Sequence, residues 1–171
     1  MVELANMNTE KQDEIRKCAG YQKIHRSWKQ AKEDRLEWLW ANTCCIDKRS
    51  SVELSEAINS MCRWYGELAR CYAYLHDVPD LSFPTKPNSD RYSNYRWPEW
   101  FSHGWTLQEL IALHDVQFFN RDWQFIGNKK RHSDTLRVIT QVPQNILSNG
   151  LSSTCPCVAQ MMSWAADQMT G

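Results

Sequence analysis

The sequence predicts an α/β fold built on a short parallel sheet. Three aromatic or apolar runs read as strands, at residues 36–46, 71–75 and 116–119. Between them lie two stretches with helical apolar spacing, residues 50–69 and 106–113. Strand, helix, strand, helix, strand in that order is the pattern of parallel crossover units. Nine tryptophans supply large surfaces for burial and argue against disorder.

The chain's 171 residues fit one domain with a single core. Its 42% hydrophobic and 23% charged composition is that of an ordinary globular protein. Twenty basic and twenty acidic residues cancel to zero net charge, which gives no electrostatic case for nucleic acid or an anionic membrane. No run of 18 apolar residues occurs, so no membrane-spanning helix is expected. Residues 1–11 lack the apolar core of a signal peptide. The seven cysteines are odd in number, and five (Cys18, Cys44, Cys45, Cys62, Cys71) sit in apolar patterns as small hydrophobes. An intracellular, reduced protein is the simplest expectation.

Taken in order, residues 9–35 are polar and rich in helix formers. Ile15, Cys18, Ala19, Tyr21, Ile24, Trp28 and Ala31 give a helical stripe with an expected break near Gly20. Residues 36–46 are dense enough in aromatic and apolar side chains for a strand buried on both faces, and Asp47-Lys48-Arg49-Ser50 reads as a turn. Ser50 and Glu53 have capping-box spacing, and Leu54, Ile58, Met61, Cys62, Tyr65, Leu68 and Ala69 share one helical face. After the strand at 71–75, residues 79–96 turn to proline, serine, asparagine and aspartate, a loop longer than most connections. Thr106 is placed to cap a helix on Leu107, Leu110 and Ile111, with Glu109 in its first turn. Helices are expected at 133–140 and 158–169. The outermost helices lack strands to pair with, so the sheet reads as incomplete.

The chemistry-bearing residues are few. Cys44-Cys45 and Cys155-x-Cys157 are too tightly spaced for the usual zinc pairings, and no metal site is expected. The five histidines are scattered; a nucleophile–base pair such as Cys45 with His76, both near strand ends, stays open because spatial adjacency is not readable from sequence. Gly104, Gly127 and Gly150 stand alone, so no phosphate-cradling loop is present. Asp47 follows a strand, at the carboxyl edge where open α/β sheets place ligand crevices; the alternative is an aspartate bonded to its own turn. Glu109 shares its helix start with Trp100, Trp105 and Gly104, and is either a cap or a working carboxylate.

Several blocks in sequence resemble the heterokaryon incompatibility (HET) domain of filamentous fungi. They are Trp40-Ala41-Asn42-Thr43-Cys44-Cys45-Ile46-Asp47-Lys48, Ser51-Val52-Glu53-Leu54-Ser55-Glu56-Ala57-Ile58-Asn59-Ser60-Met61, Cys71-Tyr72-Ala73-Tyr74-Leu75, Gly104-Trp105-Thr106-Leu107-Gln108-Glu109-Leu110-Ile111 and Val116-Gln117-Phe118-Phe119. Ser163-Trp164-Ala165-Ala166 resembles a segment that follows the domain in that family. On this resemblance residues 1–17 form a polar helical extension, 18–150 the HET domain, and 151–171 a C-terminal helical segment. The family's usual opening block, Ser-His-Thr-Trp-Gly-like, has no counterpart before Cys18, so the resemblance implies a domain without its first strand.

The resemblance implies a cytoplasmic protein of self/non-self recognition acting in programmed cell death. It also implies a fold similar to Toll/interleukin-1 receptor (TIR) domains, a flavodoxin-like three-layer arrangement. Enzymatic TIR domains cleave the nicotinamide–ribose bond of NAD+ with the glutamate of a W-x-x-x-E motif, and Trp105-Thr106-Leu107-Gln108-Glu109 has that spacing. Glu109 would then be the catalytic carboxylate of an NAD+ nucleosidase, with Trp105, Asp47, Cys45 and His103 lining the substrate site. NAD+ would be a substrate, with no resident cofactor. The alternatives are a catalytically silent module that self-associates or binds a regulatory protein, and a non-functional gene fragment.

Overall fold

The computed structural model describes residues 9–41, 50, 60, 63–92 and 96–149. The chain folds as two compact units, Met1–Ile58 and Asn59–Gly171. The first holds helices α1 (Thr9–Lys17) and α2 (Ala19–Glu33). The break between them falls at Cys18, in extended conformation, rather than at Gly20. Cys18 is exposed instead of packed as a hydrophobe, its thiol 3.4 Å from the Glu14 carbonyl. Along α2 the rings of Tyr21, His25 and Trp28 stack at 5.8 and 5.7 Å, and Lys32 lies 4.3 Å over Trp28.

After α2 the chain turns through Arg35 at φ 60°, and residues 36–41 are irregular, not the start of a strand. Trp38 is 89% exposed, the reverse of a position buried on both faces. Aromatic density favours strands only where neighbouring strands pair and cover the segment; no described strand pairs with residues 36–41. The rest of that expected strand, with Cys45 and Asp47, and the expected helix at 158–169 lie outside the described residues.

The second unit carries a three-stranded sheet ordered β1 (Cys71–Tyr74), β2 (Val116–Phe119), β3 (Phe125–Asn128). β1 and β2 are parallel, as their α/β connection requires, with α3 (Gly104–Ala112) on the crossover. β3 returns antiparallel, so the sheet is mixed rather than wholly parallel. The reason is local: five residues join β2 to β3, too few for a parallel crossover. Helices α4 (Ser133–Thr140) and α5 (Gln144–Asn149) follow, and residues 63–67 are helical within the stretch expected to be so.

Cross-strand partners Ala73, Phe118 and Gly127 share one face of the sheet. There Phe118 meets the rings of Phe83 (4.8 Å), Trp100 (6.0 Å) and Phe101 (6.1 Å). Leu107, Leu110 and Ile111 of α3, Leu136 of α4 and Leu147 of α5 are buried with them. On the opposite face, Phe119 stacks on Trp123 at 5.1 Å and meets Tyr72 and Phe125 edge-on at 5.9 Å each.

The described part of the long loop is anchored at both ends of its run: Phe83 and Tyr92 are each 4% exposed. Asn120, fully buried, ties that loop to the β2–β3 turn. Its amide donates to the Asp80 carbonyl and the Gln124 side chain, and its carbonyl accepts from the Asp122 and Gln124 amides. Asn120→Ala strands these partners without replacing them. It is expected to cost about 2 kcal/mol or more of unfolding free energy in urea denaturation, since each buried group left unpaired costs roughly 1–3 kcal/mol.

Candidate functional site

Helix α3 begins two residues earlier than its sequence spacing suggests. His103, in extended conformation, precedes Gly104, and the first turn contains no acidic residue. Thr106 is therefore inside the helix. Its hydroxyl lies 2.7 Å from the His103 carbonyl and 2.5 Å from the Trp100 carbonyl, tying α3 to the 3-10 turn Glu99–Ser102. This placement removes the capping alternative for Glu109, which is the sixth residue of the helix.

The Glu109 side chain is half-buried and held by groups distant in sequence. The Tyr65 hydroxyl donates to Oε1 at 3.4 Å, and the Cys71 thiol lies 3.9 Å from Oε2. Tyr65 is 2% exposed, so its hydroxyl is a fixed donor. Cys71 is the first residue of β1, which puts the carboxylate level with the amino end of that strand. At the same end Arg70 Nε bonds Asp115 Oδ2 at 2.6 Å, clamping the starts of β1 and β2 together.

The far end of α3 rests on a buried cation. Lys129 is 1% exposed and donates from Nζ to the Leu113 carbonyl at 2.6 Å. Leu113 in turn donates its amide to the Glu109 carbonyl. A cation at the carboxyl end of a helix complements the helix dipole, but burial pushes the Lys129 ammonium down to about 8.

The other expected site residues are distributed unevenly. For Trp105 the structure describes the backbone, four positions before Glu109 on α3, a spacing that shares one helical face. His103 is exposed, and its Nε2 lies 3.6 Å from Glu99 Oε1. His76 approaches the other oxygen of that carboxylate at 3.4 Å. Asp47 and Cys45 lie outside the described residues, so only Glu109, Trp105 and His103 are placed, all along one turn-and-helix segment. Among the described residues no group of three or more His, Cys, Asp or Glu side chains could hold a metal ion. Sequence spacing does not mark Tyr65 and Cys71 as supports for Glu109, nor Lys129 as the cation at the end of α3. Tyr65's place on an apolar helical stripe was the one signal, a hydroxyl that burial obliges to find a partner.

The chain has a relative among known proteins. Over 155 residues the chain is 39% identical to the vegetative incompatibility protein HET-E-1 of Podospora anserina, a match covering 88% of this chain and 11% of that protein. The chain belongs to the heterokaryon incompatibility family. This HET-family chain spans about a tenth of its relative's length. No protein-family model matches it, and neither does any solved structure. None of its described helices is long and apolar enough to cross a membrane.

Because Lys129 is held below its unfolded value of 10.5, the unfolded chain binds more protons between about pH 8 and 10.5. The cost of burying the charged amine is complete below about pH 8 and is relieved as pH rises towards 10.5. Relative to Lys129→Met, wild-type stability should therefore rise across that window. Urea midpoints of both proteins measured from pH 7 to 10.5 check the sign.

Proposed function

We propose that this chain is the effector part of a fungal incompatibility protein and that it hydrolyses NAD+ to nicotinamide and ADP-ribose. The observation that carries the reading is the W-x-x-x-E pair on α3, Trp105 and Glu109, in a chain 39% identical to an incompatibility protein. In this reading the Glu109 carboxylate steadies the ribosyl cation that develops as the nicotinamide–ribose bond breaks, as carboxylates do in glycoside hydrolysis. Water then adds to the ribose carbon and loses a proton. Tyr65 and Cys71 hold the carboxylate in one orientation, which lets it act without reorganising. Trp105 and His103 border the substrate. A TIR-like fold and action in the cytoplasm belong to the same proposal.

A second reading has its own support. Glu109 sits at the amino end of β1, whereas open α/β sheets place their ligand crevices beyond the carboxyl ends of strands. There the carboxylate serves as a tie between α3, Tyr65 and β1, and the module works by associating with a second copy or a regulatory protein.

Incubation of the purified chain with NAD+ separates the two. The enzymatic reading expects nicotinamide release that falls at least about a hundredfold in Glu109→Gln, the usual scale for removing a catalytic acid, base or charge stabiliser. Equal release from both proteins, or none from wild type, overturns it. The tie reading expects Glu109→Gln to lower the urea midpoint and a concentrated sample to elute above the monomer mass on size exclusion.

Tyr65→Phe tests the carboxylate's support directly. A single hydrogen bond contributes about 0.5–1.5 kcal/mol, so nicotinamide release should fall roughly threefold to tenfold with no change in KM.

A further inference from the structure

The imidazole of His132 lies between the long loop and the sheet. One face stacks on Phe83 of the loop, with ring centroids 4.2 Å apart and planes 14° from parallel. Its edge lies against Gly127 of β3, where an added Cβ would stand 2.1 Å from Nε2. Gly127 also has φ +141°, a conformation that other residues rarely adopt, so β3 is shaped at this point to admit the ring. The Ile126 backbone lies close to the ring and favours its protonated form, against the larger effect of burial. Nε2 is buried with no hydrogen-bond partner.

The neutral ring satisfies this site, because Nε2 then carries a lone pair and needs no acceptor. A proton on Nε2 would be a buried, charged donor with nothing to receive it. Stacking on Phe83 offers the cation some attraction to the ring face, but no counter-ion is at hand among the described residues. On its own turn the neighbouring charge is Arg131, which opposes protonation. Just past β3, Lys129 is a second cation, committed to the Leu113 carbonyl. On the loop, Asp80 is paired with Arg91, and on α4 Asp134 accepts from Gln144. Burial accordingly holds the His132 ring neutral further into acid than an ordinary histidine.

We propose that His132 is an acid-released latch on the loop of residues 79–92: protonation of Nε2 expels the ring, frees Phe83 and lets that loop detach. The loop runs towards the Glu99–Ser102 turn, and Phe83 touches Phe101 of that turn at 6.2 Å, so release loosens the amino-terminal support of α3. The latch is independent of any chemistry at Glu109. Its sign follows from linkage. The opened state takes up the proton at the ordinary histidine value of about 6.5 while the closed state resists, so the loop is held above that pH and is lost as pH falls below it.

An NMR titration of the full chain tests this. The His132 ring signal should titrate below the ordinary histidine value. Through that titration, amide protection in residues 79–92, corrected for intrinsic exchange, should fall about tenfold. Protection that stays constant while His132 protonates overturns the proposal. His132→Phe keeps a stacking ring without a titrating nitrogen, and its loop protection should be flat from pH 7.5 to 5; an undiminished fall overturns the latch. Should that variant fail to fold, Phe83→Leu removes the stack instead. It should move the His132 midpoint up towards 6.5, and an unmoved midpoint equally overturns the proposal.

Discussion

Phe118 is the side chain on which the second unit is assembled. It occupies the central strand, is wholly buried, and meets rings from the loop (Phe83) and the turn before α3 (Trp100 and Phe101). Each strand of the sheet is four residues long. Sheets of that size gain too little from their ladder bonds to stand alone and depend on what packs over them. A buried phenyl supplies about 1.5–3 kcal/mol through desolvation. Here the same ring also fixes where the loop and α3 lie, so the helix that carries Glu109 inherits its position from the core of β2.

Around this apolar centre the buried polar groups act as joints between elements. Asn120 joins the loop to the β2–β3 turn, and Lys129 joins the end of β3 to the end of α3. Each is satisfied, and each would be costly with a partner missing. They differ in what they demand: Asn120 is neutral and indifferent to pH, while Lys129 keeps a charge where solvent is scarce. His132 is the third such joint and the one whose partner set fits a single protonation state. The unit is thus polar at its seams and aromatic at its centre.

The elements legible in sequence are those whose own residues decide them. The runs at 71–75 and 116–119 and the helix at 133–140 carry their apolar pattern internally, and the structure places β1, β2 and α4 there. β3 was not legible, because Phe125-Ile126-Gly127-Asn128 has no alternating pattern; its strand is made by the Asn120 turn and by pairing with Phe118 and Gln117. Residues 36–41 misled for the converse reason, since aromatic content imitates a strand that no described neighbour completes. At the site, the W-x-x-x-E spacing is a local pattern and could be read. The partners of its carboxylate, 44 and 38 residues away, are products of the fold.

The position of Glu109 joins these strands of argument. A carboxylate used only as a helix cap would lie in the first turn and answer to backbone amides; Glu109 lies past that turn and answers to a tyrosine and a cysteine from two other segments. Those contacts cost side-chain freedom and partly desolvate a charge, which surface acids avoid. The cost is offset either by joining α3 to β1 or by holding an oxygen ready for chemistry. Both roles require the same rigidity. What distinguishes them is whether a reacting group reaches the carboxylate. Glu109 is half-buried rather than enclosed, and its spacing puts it on the helical face that Trp105 shares.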